Sequence, residues 1–413
     1  MVLFIYNLLV KLSNVLLPFL GYFNAKIKAV VEGRNETMRT FTNKTISIKA
    51  KKNIWLHCAS LGEFDQGKPV IERLIENNEY ELYISFFSPS GYINKKKYSK
   101  AKEIFYLPSD TKANARALLD YIQPDIVLFV KYEIWYHFIN ETIKNKTPIF
   151  LISAVMNASS FYFNTFASPW YDVVSRLDMI FLQDLKSLDI SKSKALKNCI
   201  LTGDTRFDSV IKTAESAYEN KILNAIAQQH KTICFGSCWQ EELDIFYEMI
   251  GLNSFKDWTF IIAPHELKLV ASIQLQLKKR DIQYYLQSQE SDFIHTISNA
   301  TVLIVDTIGQ LSKIYRYATV ALVGGGFRGT LHNILEPSAY GLPVFCGPQT
   351  HKFNEAQAME LCTTLHKIKS NSNFYKTLNI TIENIEVLKN IQLDFINKNK
   401  GATQKVVEIL KTY

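Results

Sequence analysis

VGGGFRGTLHNILEPSAYGLPVFCGP, residues 323–348, decides how the chain is read. Residues 321–323 look like a strand end and glycines 324–326 like a tight turn. A helix is predicted to open near His332, and a second short strand follows at 342–346. Glycine lets a backbone approach a ligand closely. A helix N-terminus offers free N–H groups and a positive dipole end, which suit a phosphate. Asn333 and Glu336 lie three apart and share one helix face, where Glu336 can accept from the two hydroxyls of a ribose. The same pattern also fits any tight connection in a parallel-sheet protein, so the other segments decide between the two readings.

Upstream of this stretch, three more strand patterns (232–235, 260–263 and 301–305) each end in a polar or glycine turn. These are GSCWQEEL (236–243), PHE (264–266) and DTIGQL (306–311). With the triple glycine, four turns converge on one sheet edge and describe a crevice for a nucleotide, its phosphate held by N–H groups such as those of Gly236 and Ser237. The glycines do not form GxGxxG and come late in their domain, which argues against NAD. No GxxxxGK[ST] occurs, so no P-loop is expected.

The first half alternates strand and helix patterns, with strands at 53–57, 81–87, 104–107, 126–130, 148–152 and 179–183. This rhythm implies a parallel sheet covered by helices, with active groups at the carboxyl ends of its strands. Two carboxylates stand at such ends: Glu63 in HCASLGEF (57–64) and Glu133 in KYEIWYHF (131–138). Glu63 can act as a general base toward a substrate hydroxyl, or can merely complement a helix dipole. Arg206, in GDTRFD (203–208), can reach into a cleft between the halves.

A length of 413 residues implies two domains. We read 1–35 as a membrane-associating helix, 36–208 as an acceptor domain, 209–390 as a nucleotide-sugar domain and 391–413 as a C-terminal helix that can cross back. A net charge of +8 fits an anionic membrane surface or a phosphorylated substrate better than a nucleic acid. The six cysteines show no metal spacing and read as free thiols in a reducing compartment. Residues 1–23 are strongly apolar, without a small-residue cleavage site, so an excised signal peptide is not expected. Asn7, Lys11 and Asn14 form a polar stripe along this helix, which suits lying in the interface, or packing the stripe on protein, better than spanning. Lys26, Lys28, Arg34, Arg39, Lys44, Lys49, Lys51 and Lys52 follow, as expected of a cytoplasmic, lipid-attracting segment.

HCASLGEF, KYEIW, GDTRFD, FGSCWQEE, IIAPHE, VDTIGQL and GGGF…GTLHNILEP…GP…FN occur in the order found in the 3-deoxy-D-manno-octulosonic acid (Kdo) transferases of lipid A and lipopolysaccharide biosynthesis, which this chain resembles from about residue 20 to 355. The resemblance implies a GT-B fold, two Rossmann-like α/β domains facing across a cleft, with an N-terminal membrane segment. It implies CMP-Kdo as donor, a lipid A precursor (lipid IVA) as acceptor, transfer with inversion, no metal or other cofactor, and a place at the cytoplasmic face of the inner membrane. Glu63 matches the family's proton acceptor, and Glu133 and Arg206 match residues assigned to transition-state stabilisation. Pro264, His265, Ile308, Gly309, Gln310, Asn333, Ile334, Leu335 and Glu336 match its CMP contacts. Arg206 stands where lysine is usual, Asp204 where asparagine is, His265 where arginine is and Gln310 where glutamate is; residues 153–161 lack the usual arginines. The rivals are another transferase or epimerase of this plan using a UDP-sugar, and a non-catalytic nucleotide- or lipid-binding protein.

Overall fold

The computed structural model describes residues 1–43, 49–292 and 302–413. It comprises two compact units: residues 1–208 with 400–413, and residues 209–399. Lys44 and Thr301 lie outside the described residues.

Among the described residues, seven parallel strands build the first unit: β1 (Lys52–Cys58), β2 (Tyr80–Phe86), β3 (Glu103–Tyr106), β4 (Ile126–Val130), β5 (Ile149–Ala154), β6 (Met179–Leu182) and β7 (Cys199–Leu201). They lie in the order β3-β2-β1-β4-β5-β6-β7. β4 is buried at all five positions because helices cover both faces of the sheet, which is why it reads as an unbroken apolar run. Trp55, Phe129, Phe138 and Leu151 pack on one face. Ile54, Leu56, Phe64 and Phe150 pack on the other, with Val406, Val407 and Leu410 of the C-terminal helix Ala402–Leu410. Asp208 anchors that helix by accepting from the Gly401 and Thr403 N–H groups at 2.6 and 2.7 Å.

The second unit holds β8 (Lys231–Cys238), β9 (Trp258–Pro264), β10 (Tyr284–Leu286), β11 (Val302–Ile304), β12 (Val320–Val323), β13 (Val344–Cys346) and β14 (Leu365–Lys367). They are again all parallel, in the order β10-β11-β9-β8-β12-β13-β14. Chain direction across the sheet reverses between β1 and β4 in the first unit and between β8 and β12 in the second. Ligands of open α/β sheets bind at the carboxyl ends of strands flanking such reversals. Strands β7, β10 and β14 have no counterpart among the strand patterns of the sequence. Each is three residues long and lies toward a sheet edge, too short to show a period.

Two helices precede β1: α1 (Val2–Gly21) and α2 (Ala25–Asn43). Among the described residues α1 alone is long and apolar enough to cross a membrane. Its polar side is docked on protein. The Tyr6 hydroxyl donates to buried Asp110 at 2.5 Å, His137 Nε2 meets Asn7 Oδ1 at 2.6 Å, and the Ser109 hydroxyl donates to Asn14. Phe4, Leu8, Leu12, Val15 and Phe19 are exposed. Asn7 and Asn14 of the polar stripe are therefore satisfied within the first unit, Lys11 is exposed, and an apolar face is left uncovered.

Candidate active site

In the first unit the helix Leu61–Ile75 starts directly after β1, with Ser60 as its N-cap residue. Glu63, on its first turn, bends back so that Oε2 accepts from the Ala59 N–H. The carboxylate thus caps the helix and is held in one place. It is 8% exposed. Burial and the neighbouring Glu133 carboxylate push its pKa up to about 7, against the pull of the Ala59 N–H, Lys131 and the Ser60 N–H. A carboxylate half-ionised near neutrality suits a general base.

Glu133 follows β4, on the other side of the strand reversal. Its Oε2 accepts from Trp135 Nε1–H at 2.7 Å and lies 3.5 Å from His57 Nε2. Trp135 Nε1 also lies 3.1 Å from His57 Nε2. The fully buried His57, at the end of β1, is seated by Ser85 Oγ at 2.9 Å, and Ser85 Oγ also accepts from Trp55 Nε1–H at 2.9 Å. Strands β1 and β2 and the segment after β4 therefore contribute to one chain, Trp55–Ser85–His57–Trp135–Glu133. His57, Lys131 and Trp135 stand inside the sequence motifs, but nothing in the motifs assigns them these roles. The one signal available was a histidine at a core position of an otherwise apolar strand.

Arg206 opens the helix Arg206–Glu215. It is clamped to Asp204: Nε lies 2.9 Å and Nη2 2.6 Å from Oδ2, and the Arg206 N–H donates to Oδ1 at 2.9 Å. The residue between them, Thr205, donates to the Gln66 carbonyl at 2.5 Å, which fixes the pair beside the helix bearing Glu63. Two departures from the family pattern, Asp204 and Arg206, are thus one ion pair. The carboxylate holds the fork geometry that distinguishes arginine from lysine.

In the second unit Gly236 and Ser237 lie at the carboxyl end of β8, Pro264 ends β9 with His265 directly after it, and residues 308–310 and 333–336 stand in the segments that follow β11 and β12. A bulge shifts the β8–β9 register between Gly236 and Cys238, and Ser237 adopts a left-handed φ of 51°. Ile308 is 79% exposed and Gly309 has a φ of 84°. Asn333 Nδ2 donates to Glu336 Oε1 at 3.3 Å. Ile334 and Leu335 are fully buried core residues, so only their backbone can meet a ligand.

The glycine stretch differs from its expected form in two ways. The helix near His332 is a four-residue turn, Leu335–Ser338, because residues 327–333 follow the chain back over the glycines as a loop. Two of the three glycine N–H groups in the turn already have partners: Gly324 donates to the Gly236 carbonyl at 2.9 Å and Gly325 to the buried Glu242 carboxylate at 3.0 Å. Close packing explains these glycines, since a Cβ on Gly326 would lie 2.6 Å from the Gly347 nitrogen.

His265 stacks on Trp239 at 4.0 Å between ring centroids, His332 lies 4.5 Å from His265, and the Arg328 guanidinium lies 4.5 Å from the centre of the Trp239 ring. Burial lowers the pKa of His265, with Arg328 assisting, and burial beside His265 lowers that of His332 to about 4. Both rings are neutral at neutral pH, so His265, which stands where arginine is usual in the resembled family, takes up a proton only on acidification. A folded pKa below the unfolded value near 6.5 means that the unfolded chain takes up protons first as pH falls. This contribution to stability is intact above about pH 6.5 and lost toward pH 4. Between pH 6.5 and 5 the melting midpoint is expected to fall, and His332→Asn to flatten that fall by about 3 °C in calorimetry. An unchanged slope in the variant would contradict the assignment.

No group of three or more His, Cys, Asp and Glu side chains that could hold a metal occurs among the described residues, and the six cysteines are free thiols.

Residues 33–209 match the family described as 3-deoxy-D-manno-octulosonic-acid transferase (kdotransferase). A 3-deoxy-D-manno-octulosonic acid transferase of Aquifex aeolicus is 26% identical over 334 residues, 78% of this chain and 83% of that protein. A bifunctional glycosyltransferase/methyltransferase of Fusobacterium nucleatum is 27% identical over 337 residues, 76% of this chain; the match spans about half (51%) of that longer protein. Among solved structures, UDP-GlcNAc 2-epimerase from Neisseria meningitidis has the same fold, with a TM-score of 0.60 at 16% identity over 87% of this chain and 100% of that one.

Proposed function

We propose that this chain, a Kdo transferase by its matched domain and its relatives, moves Kdo from CMP-Kdo to a hydroxyl of a lipid A precursor, lipid IVA, in lipopolysaccharide core assembly. The observation that carries the reading is the pair Glu63 and Glu133 at the strand reversal, with Glu63 poised near pH 7. Glu63 takes the proton of the acceptor hydroxyl while its oxygen attacks the anomeric carbon of Kdo. CMP departs from the opposite face, so the configuration inverts. Glu133, oriented by Trp135, sets the local field that keeps Glu63 basic. Arg206, held by Asp204, meets the developing negative charge. The leaving phosphate needs charge stabilisation more than a proton. Polar ends of β8, β9 and β11 and the Asn333–Glu336 pair hold the cytidylate, and no metal takes part.

The uncovered apolar face of α1 and the basic residues after it support a location of the first unit on the cytoplasmic face of the inner membrane, where the acceptor resides. Incubation of the purified chain with CMP-Kdo and tetraacyl lipid IVA is expected to increase the acceptor mass by Kdo, with no turnover of UDP-GlcNAc. UDP-sugar turnover without CMP-Kdo turnover would overturn the proposal.

A further inference from the structure

Where α1 and α2 meet the loop before residue 111, the first unit has an open cleft of about 260 Å³. Asn14, Arg34, Asn35, Ser109 and Asn114 supply polar groups to its lining, and Leu17 lines it from α1. Arg34 is the unusual member. Its Nε is buried without a hydrogen-bond partner, and no ion pair to it is found among the described residues. Burial alone lowers its pKa, with no carboxylate opposing the shift, although a guanidinium so placed stays charged. Leaving a buried guanidinium N–H without an acceptor costs free energy, so a structural role would ordinarily provide one. Here an aromatic ring supports it instead: the guanidinium carbon lies 4.9 Å from the centre of Phe87.

Phe87 leads to the active site. Its ring packs at 5.0 Å on Trp135, whose Nε1–H donates to Glu133. Gly33 lets α2 lie directly on Tyr106, since a Cβ there would overlap that ring, and Arg34 is the next residue along this close contact. On its other side the cleft reaches α1, whose outward face is apolar and exposed. With that face in a bilayer, the cleft lies at the depth of lipid headgroups.

We infer that this cleft is an anion subsite in which Arg34, with Asn14, Ser109 and Asn114 around it, binds a phosphate monoester on the headgroup of the lipid acceptor. The inference rests on the acceptor reading above and adds which part of the acceptor is held and by what. Arginine suits a phosphate because its fork donates two parallel N–H···O bonds. Among the described residues the shell around Arg34 holds no competing carboxylate, and its polar groups are fixed to one another: the Ser109 hydroxyl donates to Asn14 Oδ1 and Asn114 Nδ2 donates to the Ser109 carbonyl at 2.8 Å, which leaves the Asn14 amide N–H groups to meet the anion beside Arg34. Held there, the lipid projects its sugar hydroxyl past Phe87 and Trp135 toward Glu63. Arg34 is a positioning residue and takes no part in proton transfer.

The test uses the full chain with vesicles of zwitterionic lipid. These carry a bisphosphorylated tetraacyl disaccharide lipid, its dephosphorylated counterpart, or phosphatidylglycerol at matched charge. Wild type is expected to bind the phosphorylated lipid about tenfold more tightly than the other two. Arg34→Gln and Asn114→Asp, which leave Glu63 and Glu133 intact, should abolish the difference, and Arg34→Lys should restore part of it. In the transfer assay Arg34→Gln should raise the acceptor KM about tenfold and leave kcat and CMP binding near wild type. Equal binding to the phosphorylated lipid and phosphatidylglycerol would mean bulk charge attraction only and would overturn the subsite. So would an unchanged acceptor KM in both Arg34→Gln and Asn114→Asp. If no lipid accepts Kdo, the transferase reading fails, while the vesicle arm still decides whether the cleft selects a phosphate monoester.

Discussion

Glu63→Gln is expected to slow Kdo transfer by roughly a hundred- to ten-thousandfold, the range for losing a general base. The amide keeps the shape of the side chain, and its oxygen can still accept from the Ala59 N–H that holds the carboxylate in place. It cannot take a proton, so CMP binding and the fold should persist while turnover falls. In the wild type, kcat/KM should rise as pH increases through about 7, where Glu63 ionises, and the residual rate of the variant should lack that limb. Stability moves the opposite way. The folded pKa is raised above the ordinary value of 4.5, so stability is fully present below about pH 4.5 and declines as pH rises through about 7, where a buried carboxylate must ionise. Glutamine carries no such charge. The variant should match wild type near pH 4 and exceed it at pH 8, by at most about 3 kcal/mol in urea unfolding. Near-wild-type transfer by Glu63→Gln with normal CMP binding would sink the base assignment. Equal stability at pH 8 would show that the carboxylate is not desolvated.

Gly324→Ala carries the second large effect, on folding. A Cβ at this position would lie 2.9 Å from the Cys238 Cα and closer still to the Ser237 carbonyl. Both obstacles are backbone, so neither can rotate aside. Relief requires β12 to move from β8, which strains the Gly324 N–H bond to Gly236 and then the Gly325 N–H bond to Glu242. Overpacking and a buried carboxylate losing a donor each cost about 1–3 kcal/mol. A loss of about 4 kcal/mol is therefore expected, read as a lower denaturant midpoint of the second unit, together with weakened CMP binding because Ser237 moves. Gly62→Ala is the stability control: a Cβ there would meet nothing within 4 Å, and the site is helical, so its midpoint should stay level or rise. A Gly324→Ala midpoint equal to wild type would remove the packing account of the triple glycine.

The parallel sheets are legible in the sequence because Ile126–Val130 and its counterparts are unbroken apolar runs separated by helical patterns. Glu63 and Glu133 are legible as candidates because each follows such a run, and the carboxyl end of a strand is known once the strand is. The motif order points to the Kdo transferases, and the matched family over residues 33–209 agrees. Arg206 looks in the sequence like a cation free to meet substrate; its pairing with Asp204 emerges only when the turn between them is folded.

The class of fold, the strands that end in chemistry and the apolar helix at the start are all written in the periodicity of neighbouring residues, so the linear chain suffices to find them. Folding was needed to bring β1 beside β4, and so to let Glu133 raise the pKa of Glu63. Folding likewise turns the N–H groups of Gly324 and Gly325 to packing and buries the Arg34 Nε without a partner. Those properties depend on desolvation and on contacts between residues distant in the chain, and no local pattern encodes either.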